Sequence, residues 1–95
     1  MTKKRSNYIY KFAGKIINRW KRISDKNKPY FYQLDIDNEN IDKIFVFQNK
    51  LQRTEIWQDI EQSNYLGKKY GFSCKNYMGN YGLIDWQELN SYENK

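Results

Sequence analysis

The apolar residues of this chain recur mostly at every second position. One stretch alone switches to the helical period, and it falls between the third and fourth of five strand-like segments. That stretch is TEIWQDIEQSN, Thr54 to Asn64. Ile56, Trp57 and Ile60 form one apolar stripe, Thr54 stands where a helix cap belongs, and Glu55 occupies the first turn, where the helix dipole favours an acid. Gly67 follows at the exit.

The other segments alternate. From Tyr8 to about Trp20, Tyr8, Tyr10, Phe12 and Ile16 hold even positions, while Lys11, Lys15 and Arg19 share the odd face. Gly14 has no side chain to pack there and marks a bulge or a sharp bend, which would let one long strand serve two sides of a small barrel. A turn-rich loop, Lys21 to Pro29, comes next. In PYFYQLDID, Tyr30, Tyr32, Leu34 and Ile36 face one way and Phe31, Gln33, Asp35 and Asp37 the other. The third strand, Lys43 to Gln48, puts Ile44 and Val46 toward the core and leaves Phe45 and Phe47 pointing out. Two last strands, Lys69–Tyr77 and Tyr81–Gln87, are joined at Met78, Gly79 and Asn80, a tight hairpin signal.

The order is thus β-β-β-α-β-β in 95 residues, enough for one domain. It is the order of the OB-fold, a five-stranded barrel, and the fold class expected is all-β: a small OB-fold-like barrel with one short helix between strands 3 and 4. Residues 1–7 read as a basic N-terminal arm, 8–89 as the barrel and 90–95 as a flexible C-terminal tail.

Charge is unevenly spread. The first twenty-eight residues hold ten Lys or Arg against one acid, in a chain with 17 bases, 11 acids and net +6. The frequent Lys, Asn, Ile and Tyr are all encoded by codons rich in A and T, so an AT-rich genome would raise their numbers without selection on function. Their arrangement is another matter: cations interleaved with flat rings suit a polyanion that has planar faces. Single-stranded nucleic acid is such a ligand, its phosphates releasing counterions and its bases stacking.

The chemistry of catalysis is sparse. No histidine occurs, which removes the commonest general base and metal ligand. The single cysteine, Cys74, can close no internal disulfide and build no thiolate zinc site, and the five glycines form no phosphate loop. Asp35, Asp37, Glu39 and Asp42 lack the spacing of a calcium loop and read as solvated acids. The expectation is a non-enzymatic binder without cofactor or metal. No secretory signal and no membrane-spanning run is evident, so the expected location is intracellular and cytoplasmic, or an organellar stroma if the gene is organellar.

With the segments AGKIINRWKR, PYFYQLDID, KIFVFQ and YGFSCKNYMGNYGLIDW, spanning most of residues 12–86, the chain resembles OB-fold proteins of the single-stranded-DNA-binding type. The resemblance is one of strand pattern and aromatic placement. It implies a binding face on strands two and three, flanked by the loop between strands one and two and by the last hairpin. The candidate binding residues are then Phe31, Phe45 and Phe47 on the face. Arg19, Trp20, Lys21, Arg22, Lys26 and Lys28 would lie in the first loop, Lys15 on the first strand, and Lys75 and Tyr77 at the hairpin. Trp57 and Trp86 are assigned to the core. Members of that family usually oligomerise and often end in an acidic tip; this chain ends in SYENK, which departs from that pattern and puts a hub role in doubt. Asp35 and Asp37 would repel phosphate, and they sustain an alternative: a small accessory subunit that docks onto a larger protein or ribonucleoprotein assembly.

Overall fold

The computed structural model describes residues 8–22 and 31–89. Its elements are β1 (Tyr10–Arg22), β2 (Phe31–Ile36), β3 (Lys43–Val46), a single 3-10 turn (Gln48–Lys50), α1 (Thr54–Glu61), β4 (Lys69–Tyr77) and β5 (Asn80–Leu89). The strands close in the ring order β1-β2-β3-β5-β4, with the helix between β3 and β4. Neighbours are antiparallel except β3 and β5, which run parallel and meet at one partner pair, Phe45 and Gly82.

Ring closure depends on β1 serving two neighbours. Its first half, Tyr10 to Lys15, pairs with β4, and its second half, Ile16 to Arg22, pairs with β2. Gly14 sits at the handover. A Cβ there would lie 2.6 Å from the Asp37 carbonyl oxygen and 2.9 Å from Ile36 Cγ2, so only a residue without a side chain lets the two segments approach this closely. The Asp37 amide donates to the Lys15 carbonyl at 2.9 Å and fixes the crossing.

The register of β1 against β2 shifts between Ile16 and Asn18, leaving Ile17 as the extra residue of a bulge, 60% exposed. Before it, even positions face inward, as at buried Gly14 and Ile16. After it, Arg19 and Lys21 oppose buried Leu34 and Tyr32, while Trp20 and Arg22 oppose half-buried Gln33 and Phe31. The expected common face of Lys11, Lys15 and Arg19 is therefore broken. The strand is also longer than expected at its C-terminal end, so Arg19, Trp20, Lys21 and Arg22 belong to β1 and not to the first loop.

Alternation in β2 follows the expectation, with Tyr32, Leu34 and Ile36 buried. So do Ile44 and Val46 in β3, although that strand ends at Val46 because the chain turns into the 3-10 segment, where the Lys50 amide donates to the Phe47 carbonyl. In β5 both Leu83 and Ile84 are buried at a second register shift, opposite Ser73 and Cys74; Leu83 joins the core, and the Ile84 carbonyl accepts from the Gln52 amide at 2.8 Å. Phe72, Leu34, Ile44, Leu83 and Val46 fill the barrel, each worth about 1.5–3 kcal/mol on burial. Cys74 is buried among them, and burial pushes its thiol up to about 12, so it packs as an apolar side chain.

The helix packs on this core through Ile56, Trp57 and Ile60, with the Trp57 ring 5.0 Å from that of Tyr32. It is shorter than the expected Thr54–Asn64, and Thr54 is not its cap. Arg53 holds the N-cap position without a side-chain cap bond, and anchors the helix start instead by donating to the Asp85 carboxylate at 2.8 Å and to the Trp86 carbonyl. The helix ends at Glu61 because Ser63 adopts a positive φ of 61°. Among the described residues no helix is long and apolar enough to cross a membrane.

Candidate nucleic-acid interface

The register of the strands assembles an outward row across the barrel wall. Trp20 on β1 lies opposite Gln33 on β2, Gln33 opposite Phe45 on β3, Phe45 opposite Gly82 on β5, and Gly82 opposite Lys75 on β4. Next to it, Arg22 lies opposite Phe31. Residues from all five strands thus share one face because each strand places alternate side chains outward.

Rings connect across this face. Phe31 lies 6.0 Å from Phe45 and 5.2 Å from Phe47, and Phe47 meets Tyr77 edge-on at 6.4 Å. All four are half-buried. Gly82 makes room for the last of them: a Cβ there would sit 2.6 Å from the Tyr77 ring and 3.6 Å from Phe47. Tyr77 can therefore lie against the β5 backbone beside Phe47 only because position 82 has no side chain. Burial raises the Tyr77 phenol, with the Cys74 group adding to the shift, so it stays neutral as a stacking ring. Lys50 Nζ stands 5.3 Å from the same ring centroid.

Trp20 is 50% exposed and is held from below. Its indole N–H donates to Asp35 Oδ2 at 2.8 Å, and Gln33 donates to Oδ1 at 3.0 Å. The Trp20 hydrogen bond is the largest influence on the Asp35 carboxyl; burial, next in size, opposes it, and the bonds from Gln33 and Asn18 with the charge of Lys43 leave the group below its ordinary range. Asp35 therefore orients a ring as well as adding a negative charge to the face. Asp37 lies just beyond the end of β2 and is exposed.

The remaining expected residues are placed differently. Arg19 turns to the helix: its Nη1 donates to the Ile60 carbonyl at 2.6 Å, the Glu61 carbonyl at 3.2 Å and Ser63 Oγ at 3.4 Å, and its guanidinium lies 5.4 Å from the Tyr32 ring centroid. A cation there satisfies carbonyls that the end of a helix leaves unpaired. Arg19 is thus a helix clamp and does not join the face. Lys21 opposes Tyr32 on the same side of β1 as Arg19, and Lys15 opposes Lys69 on the wall shared with β4. Lys26 and Lys28 lie outside the described residues. The face thus gathers Trp20, Arg22, Phe31, Phe45, Phe47, Lys75 and Tyr77.

Sequence reasoning missed Lys50, Gly82 and the anchoring role of Asp35. Lys50 comes to Tyr77 through the 3-10 turn after β3, and no periodicity announces it. Trp57 and Trp86 are buried, as assigned from the sequence, with Trp86 stacked on Tyr70 at 4.1 Å and 17°.

Two hollows flank the face and the helix. One, a groove of about 300 Å³, opens where β3 and the hairpin diverge beyond the Phe45–Gly82 pair, and is lined by Asn40, Lys43, Phe45, Asn80 and Tyr81 among others. The other lies beside the helix, where Arg53 pairs with Asp85 at 2.8 Å and Lys68 with Glu88 at 3.9 Å, next to Asp59. Among the described residues, no three acids or cysteines converge as metal ligands would. The chain matches no protein-family model, no curated protein and no solved structure.

Proposed function

We propose that this protein binds single-stranded nucleic acid, with single-stranded DNA as the expected form, and does so without catalysis. The observation that carries this reading is the connected set of half-exposed rings Phe31, Phe45, Phe47 and Tyr77 on one outward face, with Trp20 along the same face. Bases stack on such rings with about 1–3 kcal/mol each, whatever their identity. Arg22, Lys43, Lys50 and Lys75 stand around the rings, where a sugar–phosphate chain would run. The ring order β1-β2-β3-β5-β4 supports the OB-type reading, in which this same face is the oligonucleotide site.

A second reading keeps one observation on its side. Asp35 adds a negative charge to the face, which a protein partner with basic groups would tolerate better than phosphate does. This alternative is an accessory subunit docking onto a larger assembly. Titration with oligo-dT, followed by tryptophan fluorescence at two salt concentrations, separates them. Since Trp57 and Trp86 are buried, quenching reports chiefly on Trp20. The nucleic-acid reading expects quenching and an affinity that falls with salt, with a log–log slope of about −0.7 per phosphate neutralised. Unchanged fluorescence with weak binding insensitive to salt would favour docking.

A further inference from the structure

A second chain of rings lies past the groove. Tyr81 contacts Phe12 at 5.0 Å and Tyr10 at 5.2 Å, and Tyr10 contacts Tyr8 at 4.6 Å, all edge-to-face. The inner members have a structural duty. Phe12 and Tyr81 pack against the core. Tyr8 stands outside the core set: it is 62% exposed, and its ring rests edge-on against Tyr10.

The groove joins the two sets of rings, since Phe45 forms one of its walls and Tyr81 another. Its remaining lining is mixed: the cation Lys43 and the amides of Asn40 and Asn80 stand beside the acid Asp42 and the apolar Ile41. Lys43 and the two amides can hold the sugar–phosphate segment between two stacking stations, with Asp42 as the one opposing charge.

We infer that a bound single strand does not stop at Phe45 but crosses the groove between β3 and the β4–β5 hairpin and continues onto the Tyr81–Tyr10–Tyr8 ladder. This extension rests on the reading of the ring face as a single-strand site. It makes Tyr8 a binding residue that strengthens only contacts with strands long enough to reach it.

Length dependence tests the extension. Oligo-dT near the short end of the range for one small barrel, about 4 nucleotides, and near its long end, about 16, would be titrated against the parent chain, Tyr8→Ala and Tyr8→Phe. Tyr8→Ala should weaken the long oligonucleotide about fivefold or more and leave the short one unchanged, which is the loss of one stacking contact. Tyr8→Phe should restore the parent affinity. The salt slope should be the same in all three, which distinguishes a lost ring from any effect on Lys3, Lys4 and Arg5 just before it in sequence. If the parent binds both lengths and Tyr8→Ala binds the long one as tightly as the parent, the extension is wrong while the ring-face site stands. If the parent binds neither, the single-strand reading fails and the extension falls with it.

Discussion

Two groups of rings occupy this small barrel and differ in almost every physical respect except composition. Tyr70, Phe72 and Trp86 are buried, and Tyr70 and Trp86 stack nearly parallel, each covering the other's face. Phe31, Phe45, Phe47 and Tyr77 meet tilted or edge-on and remain half-buried. An edge-on ring keeps part of its π-face open, while a stacked and buried one has none left to offer. Strand parity, and not residue type, decides which rings are spent on folding and which remain for a ligand.

Replacing a ring in each group is the most severe way to break that contrast. Phe72→Ala should cost about 3–5 kcal/mol of stability, enough to unfold much of a domain this small, and urea denaturation would measure it. Phe45→Ala should instead lower oligo-dT affinity by about 1–3 kcal/mol, with a much smaller loss of stability. Were Phe45→Ala to unfold the domain while affinity per folded molecule stayed constant, its ring would belong with the first group and the docking reading would move ahead.

The two arginines of β1 sharpen the comparison at smaller scale. Arg19→Ala should lower stability by about 1 kcal/mol, since the helix carbonyls lose a charged donor, and leave the salt dependence of binding unchanged. Arg22→Ala should do the reverse, reducing the salt slope by about 0.7 with an unaltered urea midpoint. Equal slopes for the two variants would mean that the division of β1 into a structural and a binding side is wrong.

The smallest effect concerns the anchor of Trp20. The Asp35 carboxyl is held below its ordinary value in the folded chain, so its contribution is present above the unfolded carboxyl's pKa of about 3.9 and fades as pH falls through the lower folded value. Trp20 emission should therefore change in acid with a midpoint below about 3.9, and Asp35→Asn should abolish the transition. A midpoint at or above that value would mean that the indole does not hold the ionised carboxylate.

Much of this architecture was legible because it is local. Alternation of Tyr32, Leu34 and Ile36 and the stripe Ile56, Trp57, Ile60 each report a period that neighbours in sequence share. The outward Phe45 and Phe47 were legible for the same reason. Arg19 was misread because its partners lie 41 to 44 residues away, and the turn-forming residues that follow made Lys21 look like the start of the loop. Gly82 was silent because its value lies in what Tyr77 does above it. Local pattern also says nothing about register against β2, so the bulge at Ile17 had no signature.

That bulge makes the barrel's outer surface sensitive to a kind of genetic change that ordinary substitution does not resemble. Loss of the single codon for Ile17 would remove the unpaired residue and leave Asn18, Arg19 and Trp20 opposite Asp35, Leu34 and Gln33, whereas gain of one codon between Asn18 and Arg19 would send every later side chain to the opposite face. With that added residue the indole of Trp20 would point inward opposite Tyr32 and the guanidinium of Arg19 outward, while the helix would lose its clamp. Loss of two neighbouring codons in the same strand would preserve the phase and cost only length. A frame of this sort counts residues modulo two, and Ile17 is the one residue it skips.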